Sequence, residues 1–177
     1  MKINPLSPLL LGFCLLLCSC GYTFVGASPI SMPQGKRMLN ITHVQNPTQE
    51  AWLEPYLRSY FQDEFTRRGN ASWVPEDQAQ GLVRMEISQF RTADGLTRER
   101  DRTVKANVTI VLEAMIFSAT NGELIWSSGS ITGRSSYFLA AEDTSLPGSM
   151  GPEQRRASEE AVEQAVTRLA DRLGDGF

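Results

Sequence analysis

The chain has 177 residues, 17 Lys and Arg against 20 Asp and Glu for a formal net charge of −3, and 41% hydrophobic residues. That is enough for one domain with a core of its own and little more. The acidic balance excludes nucleic-acid binding driven by net charge, so an anionic partner would have to meet a local cluster of cations.

The chain opens with a signal. Lys2 precedes an apolar run from Leu9 to Leu17, roughly ten residues and too short to cross a bilayer as a helix. It ends Leu17-Cys18-Ser19-Cys20-Gly21, which resembles a bacterial lipoprotein cleavage site, with a leucine, one permissive position, a small residue and then the cysteine that is acylated. Residues 1–19 therefore read as signal peptide and Cys20 as the lipidated residue; taking Cys18 instead would put bulky Leu17 where a small side chain is required. Cleavage removes Cys14 and Cys18 and leaves one thiol blocked by lipid, so neither a disulfide nor thiol catalysis is available. Several acyl chains, palmitate among them, hold a protein firmly, since each buried methylene contributes about 0.8 kcal/mol. Gly21 stands where the best-known inner-membrane retention signals carry aspartate, which predicts delivery to the outer membrane, facing the periplasm.

Residues 20–35 hold Pro and Gly and no clear period, and read as a tether that spans about 50 Å when fully extended. A single periplasmic domain is expected over 36–177. Its first strand is expected over Lys36 to Val44, where Leu39, Ile41 and His43 alternate toward one face, before Asn46-Pro47-Thr48 breaks it. Trp52, Leu53, Tyr56, Leu57, Tyr60, Phe61 and Phe65 recur at steps of three and four and predict an amphipathic helix closed by Arg67-Arg68-Gly69. Pro55 either occupies its first turn or kinks it.

Val83, Met85 and Ile87 alternate with Arg84, Glu86 and Ser88, giving a second strand from Leu82 to Arg91 and a turn at Asp94-Gly95. A third follows, with Val104, Ala106, Val108, Ile110, Leu112, Ala114 and Ile116 alternating almost without fault. The turn Thr120-Asn121-Gly122-Glu123 leads to a fourth strand, Leu124 to Arg134, which Gly129 and Gly133 weaken or bulge. Ser135 to Pro152 reads as a long loop, the kind that often carries function. From Glu153 the stripe Ala157, Ala161, Val162, Ala165, Val166, Leu169 and Leu173 predicts a second helix ended by Gly174. The order strand, helix, three strands, helix predicts an α+β two-layer sandwich, with two helices on one face of a mixed sheet of about four strands. A parallel pair is required where the first two strands connect through a helix.

The sequence offers little for catalysis. His43 has no partner cysteine or clustered carboxylates, and Glu142-Asp143 and Glu159-Glu160 are sequence neighbours whose side chains point apart. Neither a nucleophile elbow nor a phosphate-cradling glycine loop is present. No enzyme, cofactor or metal is expected. What remains is a cationic turn, Arg98, Arg100 and Arg102 flanked by Arg91 and Lys105 and interleaved with Glu99 and Asp101. Guanidinium groups gathered on one turn bind phosphate or carboxylate bidentately; the plainer reading is a solvated loop.

The opening Cys20-Gly21-Tyr22-Thr23-Phe24, then Pro33-Gln34-Gly35, the helix end Phe65-Thr66-Arg67-Arg68-Gly69, the turn and strand Asn121-Gly122-Glu123-Leu124-Ile125-Trp126, and the Ala/Glu/Arg-rich final helix occur in an order and spacing that resemble the LptE family of lipopolysaccharide-assembly lipoproteins. That resemblance implies a domain seated inside the lumen of the LptD outer-membrane β-barrel in a 1:1 complex. There it plugs the barrel, assists its assembly and contacts lipopolysaccharide through basic loop residues. Arg98, Arg100 and Arg102 are the candidates here, while Phe138 to Met150 holds no lysine or arginine. The competing reading is a lipid-anchored activator or scaffold of another envelope complex, a cell-wall synthase or a secretion pore, which would need a longer linker than Gly21 to Gly35.

Overall fold

The computed structural model describes residues 29–94, 104–139 and 150–175. Within them run β1 (Met38–Gln45), α1 (Leu53–Gly69), β2 (Ser72–Trp73), β3 (Gly81–Asp94), β4 (Val104–Ser118), β5 (Leu124–Ser127), β6 (Ile131–Leu139) and α2 (Pro152–Gly174), with two short 3₁₀ turns. The strands form one sheet in the order β2-β1-β3-β4-β5, with β6 also on β4. β1 is parallel to β2 and β3, and all pairs made by β4 are antiparallel. The expected α+β two-layer architecture and its parallel pair are present, with more strands than the four expected.

Two departures raise the strand count. The expected fourth strand is broken at Gly129, whose φ of +58° ends β5, and the chain restarts as β6 on the same edge of β4. Ser128 seals the break: its N–H donates to the Ala114 carbonyl and its hydroxyl accepts from the Ala114 N–H, both at 2.9 Å. β6 then continues to Leu139, so Ser135 to Leu139, expected in a loop, is strand. Tyr137 faces the core there, and the partner supplying its ladder is the far half of β4. The short β2 was not anticipated; two residues carry no period.

The core is one cluster between the sheet and the two helices. Val83, Met85 and Ile87 of β3 and Ala106, Val108, Ile110, Leu112, Ala114 and Ile116 of β4 are buried against Leu53, Leu57, Phe61 and Phe65 of α1 and Ala161, Val162, Ala165, Val166 and Leu169 of α2. Phe61 and Phe65 stack with centroids 4.0 Å apart. Pro55 falls in the first turn of α1, where its missing N–H costs nothing. The helix ends through Asn70, which takes the left-handed conformation (φ 51°) that Gly69 was expected to supply. Gly69 is instead a contact point: a Cβ there would lie 2.9 Å from the Met32 sulfur and 3.0 Å from Ile30. Ile30 and Met32 are both buried, and the Ile30 N–H donates to the Arg68 carbonyl at 3.0 Å.

A bulge in β1 between Ile41 and His43 reverses the alternation. His43, expected to share a face with Leu39 and Ile41, is therefore exposed on the opposite face while Val44 turns inward. Arg58 of α1 donates to the Ile41 carbonyl at 2.8 Å beside the bulge. A second bulge, between Ile87 and Gln89 of β3, does the same, so that Phe90 lies opposite buried Ile110 and Arg91 opposite Thr109.

Candidate functional site

Both helices lie on one side of the sheet, and no described element covers the other. Along β4 that outer face carries Lys105, Asn107, Thr109, Val111, Glu113, Met115 and Phe117, all exposed or half-buried, while the alternate residues are buried. Register turns this into a map. At one end Phe117 lies opposite Leu82 and next to Leu124, which is 50% exposed, and the Arg84 guanidinium sits 4.8 Å from the Phe117 ring centre. In the middle Glu113 stands directly opposite Glu86, and Ser127 donates to Glu113 at 2.7 Å.

At the other end the face is cationic. Arg91 pairs across to Thr109, and Thr109 pairs on to Arg134. Neighbouring strands are about 4.8 Å apart, so the two arginines flank one β4 residue at roughly 10 Å between Cα atoms. Lys105 lies four residues further along β4, roughly 13 Å away. All three side chains are exposed, and none makes an ion pair among the described residues. The other outer residues here, Gln89, Ala93, Asn107, Thr132 and Ser136, are neutral. β3 and β4 run from this end directly into 95–103.

Arg98, Arg100 and Arg102 lie outside the described residues, as do Cys20, Glu142 and Asp143. The structure brings together the two residues that flank that turn, Arg91 and Lys105, and adds Arg134. Sequence reasoning placed Arg134 at the end of a strand and gave it no role, because only the β4–β6 register, shifted by the break at Gly129, sets it beside Thr109.

The remaining candidates have local partners. Glu159 is paired with Arg155 at 2.7 Å and Glu160 with Arg156 at 3.1 Å, both one helical turn apart. The Ser135 hydroxyl donates to Glu160 at 2.9 Å and, with Arg156, holds that carboxyl below the usual range. Tyr56 is pushed above the ordinary tyrosine value, first by burial and then by donating its hydroxyl to Glu163 at 2.7 Å. Burial also raises Tyr60. Among the described residues no group of three or more His, Cys, Asp or Glu could hold a metal, and no helix is long and apolar enough to cross a membrane.

Between the helices, Arg68 is buried and bridges Glu64 of α1 at 3.2 Å and Asp171 of α2 at 2.8 Å. Glu64 also accepts from Arg67. This cluster ties the two helices together away from the open face, and its position between packed helices marks it as structural.

Residues 37–174 match the family model described as LptE, lipopolysaccharide-assembly. No curated protein matches the chain. Among solved structures, a chain described as a neuraminyllactose-binding hemagglutinin homolog from Helicobacter pylori is similar at a TM-score of 0.50 and 13% identity, covering 86% of this chain and 91% of that one. A lipoprotein candidate from Caulobacter crescentus aligns at 0.49 and 14%, covering 76% and 88%. A minor lipoprotein from Acinetobacter baumannii aligns at 0.46 and 9%, covering 79% and 94%.

Proposed function

This chain belongs to the LptE lipopolysaccharide-assembly family, and from that membership we propose that it is a non-enzymatic outer-membrane lipoprotein, acylated at Cys20, that plugs and helps assemble an LptD-type β-barrel. In this reading residues 1–19 are the signal, the acylated terminus leads into the domain, and the uncovered sheet face meets the wet inner wall of the barrel. A polar face of this kind suits a polar lumen. The basic end of the face, continued by Arg98, Arg100 and Arg102, takes the phosphate groups of lipopolysaccharide.

The observation that carries the reading is the end of the open face where Arg91, Lys105 and Arg134 stand on three adjacent strands and make no ion pair among the described residues. Surface cations not already spent on internal ion pairs are free to form charge-assisted, bidentate bonds to phosphate oxygens. The test is to measure binding of purified lipopolysaccharide to the full chain in detergent, for the parent and for Arg91→Gln/Lys105→Gln/Arg134→Gln. The triple variant is expected to bind at least about tenfold more weakly, each lost phosphate contact removing part of a salt-dependent attraction. Binding equal to the parent would remove this end of the face from the reading. Capture of the tagged chain from detergent-solubilised membranes tests the barrel: a large outer-membrane barrel in stoichiometric amount is expected, and a synthase or secretin in its place would overturn the plug.

A further inference from the structure

Among the described residues, the outer edge of β6 is met by α2 over one half and by nothing over the other. The Arg134 N–H points away from β4 and donates to Gln164 of α2 at 2.9 Å, and the outward Thr132 carbonyl accepts from Arg168 of the same helix. β4 and β6 pair without a register shift from Ile131 to Leu139, so the outward groups recur at every second residue. The next two outward sets belong to Ser136 and Phe138, and among the described residues no side chain or backbone group meets them. Proteins ordinarily cover such edges or blunt them with charge. Here α2 covers two positions and then diverges, leaving a cleft of about 300 Å³ between the strand edge and Glu153, Arg156, Ala157 and Glu160.

We propose that this free half-edge is a strand-addition site for an extended segment of another protein, one that alternates basic and apolar side chains. The class of ligand follows from the groups on offer. Donor and acceptor pairs repeating every two residues, roughly 6.8 Å apart, are matched by an extended polypeptide backbone. The alternation follows from the two walls. On the helix side Arg156 is already paired with Glu160, Ala157 leaves room, and Glu153 makes no ion pair among the described residues, so a lysine or arginine facing that way gains a partner. On the outer face the added strand runs beside Phe138, which is 61% exposed, and an apolar side chain there covers the ring. The proposal goes beyond the barrel reading and does not depend on it.

The probe is a fluorescent octapeptide of four Val-Lys repeats, titrated by anisotropy into the full chain in detergent. Saturable binding is expected. Ser136→Pro removes an outward N–H while leaving the β4 ladder intact, as edge strands tolerate, and is expected to weaken binding at least tenfold with the circular dichroism spectrum unchanged. Gln164→Ala/Arg168→Ala frees the outward Arg134 N–H and Thr132 carbonyl and is expected to tighten binding several-fold, a readout that stands even if the proline variant fails to fold. No saturable binding by the parent chain overturns the proposal, as does binding that neither substitution changes. A Ser136-dependent dimer in light scattering would make a second copy the occupant, and binding that appears only after deletion of 141–148 would make it the chain's own loop; either result also overturns it.

Discussion

Arg68 carries more of the structure than its place in the sequence suggests. It reads as a helix-terminal cation, yet it is buried and joins Glu64 to Asp171 across the two helices. Removing one member of a buried ion cluster strands the others, so Arg68→Ala is expected to cost about 3 kcal/mol in a urea unfolding titration; a loss below about 1 kcal/mol would mean that Arg67 alone satisfies Glu64. Glu160 illustrates a weaker effect of known sign. Its carboxyl is held low, first by the Ser135 hydroxyl and then by Arg156. The folded value therefore lies below the unfolded one, and the contribution to stability is present at neutral pH and lost as pH falls through the carboxylate range. The side chain is exposed and the contribution small, but Ser135→Ala should move the Glu160 midpoint upward in an NMR titration, and an unmoved midpoint would assign the shift to Arg156 alone. Neither role was legible beforehand. Both depend on residues distant in sequence, Asp171 for Arg68 and Ser135 for Glu160, that only the packing of α2 brings near.

At the level of elements, what could be read was what has a long period. β4 and the two helices stand where their apolar spacing puts them, and the parallel β1–β3 pair follows from their connection. What could not be read was where a period is interrupted. The bulges at Ile41/His43 and Ile87/Gln89 exchange faces within a strand, which placed His43 wrongly and hid that Arg91 joins the outer face. Gly133 is the clearest case of a residue whose reason lies elsewhere. A Cβ on it would stand 1.9 Å from the Ala161 carbonyl oxygen, so its absence lets α2 lie directly on β6. Gly133→Ala is expected to destabilise the fold by about 3 kcal/mol or more in thermal or urea unfolding, because the obstruction is helix backbone that must move as a body. A cost under about 1 kcal/mol would show that α2 is free to lift.

On the scale of the molecule, the two faces of the sheet do different work. The inner face anchors both helices, and the outer face is graded from the Phe117 and Leu124 patch, through the Glu86 and Glu113 pair, to the cationic end. That grading was half visible in the alternation of β4, which told which residues face out, and half hidden in the registers, which decide what stands beside them. The strand at the centre has a further property. β3 occupies one edge of β4 from Ala106 to Ser118, β6 and β5 occupy the other, and Ser128 closes the gap between them at Ala114. Native-state hydrogen exchange should therefore find the β4 amides among the slowest in the protein, and fast exchange at Ala114 in Ser128→Ala would report the loss of that closure. The strand at the centre of the uncovered face is also one whose backbone is shut on both edges. A neighbouring wall meets β4 through its side chains alone, so contact along this strand leaves two sheets free to turn or slide past each other, and backbone pairing with another chain falls to the free half-edge of β6.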